Sequence, residues 1–169
     1  MNEELKKLSK EELIDYIEDI SKNWLAIDGV WFQAVEKRYG MEKAIECDVD
    51  AWKVFTAVEA KRIMKRFNIE ENGGIPALIK ALKFRVYSNI NKQEIVEISE
   101  NRCVFRMNDC RVQSARKRKG LPDFPCKRVG MPEYIIFAKT IDPRIKASCI
   151  CCPPDPHPEE YYCSWEFKI

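Results

Sequence analysis

Histidine is nearly absent from this sequence: the 169 residues contain one, His157. No apolar run approaches the ~20 residues that span a bilayer, which excludes a membrane-crossing helix. The opening Met1-Asn-Glu-Glu-Leu-Lys-Lys-Leu-Ser-Lys10 lacks the charged-then-apolar layout of a signal peptide. There is no internal repeat, low-complexity tract or flexible linker. No recognised nucleic-acid motif occurs either. What remains is the expectation of one cytosolic domain, long enough to bury a core, with 46% hydrophobic and 33% charged residues.

Cysteine, by contrast, is abundant and clustered. Seven of the eight lie between Cys103 and Cys163, with only Cys47 outside. In a secreted chain that density would mark a disulfide framework. In a reducing cytosol, clustered cysteines bind metal, react or pack. Residues 101–169 carry 13 Lys and Arg against 8 Asp and Glu, whereas residues 1–100 carry 16 against 19. The cysteine-bearing part is thus the electropositive part, a setting that lowers thiol pKa and attracts anions.

Ser9-Lys-Glu-Glu12 is a capping box. After it, Leu13, Ile17, Ile20, Trp24 and Trp31 mark one apolar helical face. Gly29 is a candidate break, and Arg38-Tyr39-Gly40 a stop. A second helix is expected over residues 41–67, with Ile45, Val49, Trp52, Ile63 and Phe67 inward. A third is expected over 75–89. Residues 93–99 and 102–107 read as a β-hairpin. Residues 111–119 read as a short helix ending at Gly120. Pro132 is expected to open a fourth helix that stops before Asp142-Pro143. Two last strands, 145–151 and 161–167, flank a loop with four prolines. The fold class is α+β: a helical N-terminal half (1–90) packed on an antiparallel sheet of about four strands with the cysteine-rich part (91–169).

Strand parity sorts the cysteines. In the last strand Tyr161, Cys163, Trp165 and Phe167 share an apolar face, so Cys163 points inward. In the preceding strand Ile145, Ala147, Cys149 and Cys151 form the more apolar face. If Cys151 opposes Tyr161, Cys149 opposes Cys163. A slip of one residue brings Cys152 to that face instead. A thiolate site for zinc or an iron–sulfur cluster would draw on Cys163, Cys149 or Cys152, and Cys126 or Cys110 from the loops. The other reading is that these cysteines are small buried hydrophobes. Cys47 and Cys103 are assigned to packing.

Other residues carry two readings each. His157 is a ligand or base held by rigid prolines, or an exposed loop residue. Cys126, followed by Lys127-Arg128, and Cys110, flanked by Asp109 and Arg111, are candidate nucleophiles. Arg116-Lys-Arg-Lys119 is a phosphate or nucleic-acid patch, or a solvated helix end. Trp31 and Trp52 line a small-molecule pocket or pack the core, and Asp28 is the acid to examine in such a pocket.

Several stretches resemble an uncharacterised family of small cytosolic proteins of anaerobic bacteria and archaea. They are Met107-Asn-Asp-Cys-Arg-Val-Gln113, Asp123-Phe-Pro-Cys126, Ile141-Asp-Pro-Arg144, Cys152-Pro-Pro-Asp-Pro-His-Pro158 and Tyr162-Cys-Ser-Trp165. More distantly, the arrangement is similar to the L-2-amino-thiazoline-4-carboxylic acid hydrolase-like family and to the vinyl reductase-type ligand-binding domain. Those resemblances imply an α/β module that holds a small molecule, and, for the first, hydrolysis of a sulfur heterocycle. The leading expectation is a small-ligand-binding protein with a cysteine-rich metal site. The rivals are a cysteine-dependent hydrolase of a cyclic amide-like or thiazoline substrate and a nucleic-acid-associated regulator. A homo-oligomer is left open.

Overall fold

The computed structural model describes residues 2–169. Its longest element is α1, Lys10–Phe67, which starts at the capping box: Ser9 Oγ accepts from the Glu12 N–H, and the Glu12 carboxylate accepts from the Ser9 N–H. Gly40 divides it, with φ 83° and ψ 166°. That conformation is open essentially to glycine alone. Its effect is large. Trp24 stacks on Phe55 with ring centroids 5.4 Å apart, whereas 31 residues of straight helix would separate them by about 46 Å. The chain therefore folds back at Gly40 into two arms, residues 10–39 and 41–67. Gly29 does not interrupt the first arm.

The second arm packs its stripe as expected, with Ile45, Trp52 and Ile63 buried. The first arm does not. Of its five-residue stripe only Trp24 joins an aromatic group, with Trp52, Phe55 and Tyr87. Ile17, Ile20 and Trp31 stay 50%, 48% and 68% exposed. The apolar face predicted to turn inward thus turns outward.

α2, Gly74–Leu82, is shorter than expected. Arg85 leaves the helix with an extended backbone, and a separate 3-10 turn follows at Val86–Asn89. The cause is an ion pair: Arg85, 2% exposed, reaches Glu59 of the second arm at 2.9 Å and Glu133 at 2.7 Å. A guanidinium that deep must be paired, and the backbone yields to it.

The hairpin forms as β1, Lys92–Val96, and β2, Arg102–Asp109. α3, Arg111–Arg118, and α4, Lys127–Ile141, follow. Pro132 does not open α4 but lies inside it. The chain already turns helical at Cys126, whose carbonyl accepts from the Gly130 N–H, so the proline costs one ladder bond further along. β3, Lys146–Cys151, and β4, Cys163–Lys168, complete an antiparallel sheet in the order β1-β2-β4-β3. Its inner face, with Cys103, Phe105, Met107, Trp165 and Phe167, packs on Tyr134, Phe137 and Ile141 of α4. Each such fully buried side chain contributes roughly 1.5–3 kcal/mol. Gly130 is required at this contact, because a Cβ there would meet Trp165 Cζ2 at 2.7 Å. The fold is α+β, as the sequence indicates, and no described helix is long and apolar enough to cross a membrane.

The two glycines of α1 should respond oppositely to alanine. Gly40→Ala forces a side chain into the positive-φ corner and should lower stability by about 1–3 kcal/mol. Gly29→Ala, in regular helix with open space around it, should raise it by up to about 1 kcal/mol. Urea midpoints with unchanged m-values check both.

Candidate functional site

A cavity of about 350 Å³ lies between the first arm of α1, α3, α4 and the inner end of the sheet. Two sets of functional groups line it.

The first set is acidic and aromatic: Asp28 from the first arm, Asp48 and Trp52 from the second, Tyr87 from the 3-10 turn, and Glu133 from α4. Asp48 and Trp52 stand one helical turn apart and so share a face. Trp52 stacks on Tyr87 at 5.6 Å. Burial raises the Asp28 carboxyl above its ordinary range. It pushes Asp48 further, to about 7, helped by the charges of Asp28 and Glu133. Burial also raises Glu133, and Arg85 only partly opposes this. Arg85 is shared between Glu133 and Glu59, so the triad keeps a net negative charge beside the two aspartates.

The second set is four thiols: Cys110, Cys126, Cys152 and Cys163. Each comes from a different place. Cys110 ends β2 and precedes α3. Cys126 precedes α4, and Gln113 fixes its loop by bonding both N–H and C=O of Phe124 at 2.9 Å. Cys163 opens β4 opposite Met107. Cys152 arrives through a bulge: Cys149 pairs with Trp165 but Cys151 with Ser164, leaving Ile150 as the extra residue. Cys149 therefore does not oppose Cys163. The bulge turns Cys151 to the outer face and Cys152 inward, the arrangement that a slip of one residue predicts.

The Cys126 and Cys152 sulfurs are 3.4 Å apart. The Cys152 thiol is held neutral, raised by hydrogen bonds with Cys126 and Cys163 and then by burial. Burial pushes the Cys110 thiol up to about 12, the opposite of what an activated nucleophile needs. The cations expected to activate Cys126 are engaged elsewhere, Lys127 with Asp155 and Arg128 with Glu42. Thiolates 2.3 Å from a tetrahedral zinc stand about 3.8 Å apart, so a 3.4 Å pair is near that spacing. Among the described residues, no three His, Cys, Asp or Glu side chains already stand as a metal site. The four thiols are a set of donors rather than a finished centre.

The remaining expectations separate. Asp28 and Trp52 line the cavity, but Trp31 projects away from it into solvent. Cys149 packs at the edge of the core and outside the cavity. Cys103 is buried packing, whereas Cys47, also assigned to packing, is exposed because its position lies on the outer side of the second arm. His157 sits outside the cavity, with Nδ1 2.8 Å from the Pro158 carbonyl. In the basic run, Arg116 is 5% exposed and donates to Pro122 O and to Glu36, so it ties α3 to the first arm. Asp48, Tyr87 and Glu133 are not among the candidates that the sequence suggests. The i, i+4 pairing of Asp48 with Trp52 was the one signal that could have found any of them.

Asp48 should make the empty protein pH-sensitive. Its folded pKa lies above the unfolded value, so its stabilising effect is complete near pH 4 and is lost as pH rises through about 7. Asp48→Asn should therefore stabilise at pH 8, by on the order of 1–3 kcal/mol after allowing for partial solvent contact, and change little at pH 4. Urea unfolding at the two pH values measures this.

No curated protein and no solved structure matches the chain. A family model matches residues 6–169, nearly its whole length, and the chain belongs to that family, the family of unknown function DUF6125.

Proposed function

We propose that this protein binds a small organic molecule carrying a positively charged nitrogen, and that its thiol set holds a thiophilic metal, zinc or an iron–sulfur cluster, beside that ligand. The observation that carries the reading is the cavity itself: about 350 Å³, with aromatic walls, Asp28 and Asp48 without an ion-pair partner among the described residues, and four converging cysteines. A cation entering there would meet carboxylates already partly desolvated, and the faces of Trp52 and Tyr87 would attract it further. Trp165 also lines the cavity, and its indole N–H is buried without an acceptor. A ligand atom with a lone pair would relieve that cost. Eight free cysteines suit a reducing compartment, so the reading places the protein in the cytoplasm.

Benzylammonium, benzyl alcohol and benzoate are probes of one shape and three charges. Titrated against tryptophan fluorescence, benzylammonium should bind at least tenfold more tightly than either of the others. Its affinity should rise with pH through about 7, as Asp48 ionises, and Asp48→Asn should remove both effects. Equal binding of the neutral probe would overturn the cationic ligand.

Metal uptake has its own readout. Because the Cys110 and Cys152 thiols are neutral when empty, zinc binding should release protons and tighten with pH. Protein purified without air should carry close to one equivalent of zinc, or about two to four of iron with a visible cluster spectrum, and Cys152→Ser should lose most of it. Less than a tenth of an equivalent, with no uptake on adding zinc, would remove the metal from the proposal.

A further inference from the structure

The outward face of the first arm is the largest feature that the cavity leaves unexplained. Tyr16, Ile17 and Ile20 form one apolar block, and Ile27, Val30 and Trp31 a second. These six are between 44% and 68% exposed. Ile17, Ile20, Ile27 and Trp31 recur in steps of three, seven and four, which is heptad spacing, while Trp24 between them packs inward on Trp52 and Phe55. The flanking positions Tyr16 and Val30 are apolar as well, so the stripe is wider than an a/d seam. An isolated exposed leucine or isoleucine needs no explanation, but a continuous stripe of this size marks an interface.

Three features say what covers it. First, the stripe is self-complementary. The two apolar blocks lie on either side of residue 23. A two-fold axis near that residue lays residues 16–20 of one copy on residues 27–31 of the other. Secondly, its charges are complementary in the same sense. Glu12 and Asp15 flank one end, and Lys37 and Arg38 the other, so an antiparallel copy places acid beside base at both ends. A parallel copy would place like charges together. Thirdly, the area is sufficient. A stable interface buries about 800 Å² per partner, and six large side chains about half exposed supply on the order of that area.

We infer that the first arm is a dimer interface, on which a second copy of this chain packs antiparallel about a two-fold axis near Asn23. The interface is isologous and closed, so it gives a dimer rather than a filament. It lies on the back of the helix whose other face, through Asp28 and Phe32, lines the cavity. Each copy would thereby stiffen the wall of its own ligand site.

Sedimentation of the full chain over a concentration series tests the interface. The chain should be dimeric in the micromolar range, and Ile20→Glu with Ile27→Glu should raise the dissociation constant about a hundredfold. Both side chains are half in solvent in the single copy, so the variant should keep its far-ultraviolet circular dichroism and its urea midpoint at low concentration. Ile98→Glu, exposed elsewhere, should leave the dimer unchanged. Geometry is read by cross-linking in a Cys47→Ser background. Asn23→Cys, near the axis, should form a disulfide with its own copy under mild oxidation, whereas Tyr16→Cys, one heptad away on the same face, should not. A monomer at every concentration, or a dimer indifferent to the glutamates, would overturn the interface. Self-crosslinking at both positions would overturn the antiparallel arrangement.

Discussion

The buried ion pair of Arg85 with Glu59 and Glu133 governs the rest of this structure. It joins the second arm of α1, the chain after α2, and α4, three segments distant in sequence. Burial alone would lower the guanidinium's pKa, but the two carboxylates more than reverse this, so it stays charged. Its flat face lies 4.7 Å from the Phe137 ring centroid and 5.5 Å from that of Tyr134, on the helix that covers the sheet. Breaking such a group would leave a buried charge uncompensated, typically at several kcal/mol. The pair also ends α2 early and turns Tyr87 towards the cavity. Because one arginine serves two glutamates, it leaves negative charge behind.

That surplus sets the character of the cavity. Asp28 and Asp48 face it from separate arms of the helical hairpin, and they meet only because Gly40 folds the chain back. Burial raises the cost of ionising both, and the charge of Asp28 adds to it at Asp48. A site of this kind is least stable when empty at neutral pH, and the cost is relieved by whatever brings positive charge. Stability and binding are therefore opposed at Asp48, as is common where a fold keeps an unpaired polar group for its ligand.

The thiols follow a different logic. Four loop and strand ends deliver them, and small backbone irregularities decide which cysteines arrive. The bulge at Ile150 exchanges Cys151 for Cys152 on the inner face. The Gln113 amide holds the Phe124–Cys126 loop, and Gly130 lets α4 settle on Trp165. Burial keeps Cys110 protonated in the empty protein, and hydrogen bonds with Cys126 and Cys163 keep Cys152 so, which favours ligand or metal chemistry over a standing thiolate nucleophile.

The sequence by itself determined the capping box at Ser9, the hairpin, the inward face of β4 and the α+β class. These rest on neighbours within a few residues, where periodicity and cap chemistry act. It also narrowed the thiol set to alternatives that included Cys110, Cys126, Cys152 and Cys163. Tertiary structure decided the remainder. An apolar helical stripe reads alike whether it faces a core or solvent, so the outward turn of Ile17, Ile20 and Trp31 could not be read from spacing. Arg85 looked like helix until its partners 26 and 48 residues away drew it out. Cys149 gave way to Cys152 because one extra residue in a strand reverses its parity, and no local pattern marks where that residue falls. Asp48 and Glu133 looked like ordinary surface acids on amphipathic helices. Only the fold-back at Gly40 and the packing of α4 removed them from water and brought them together.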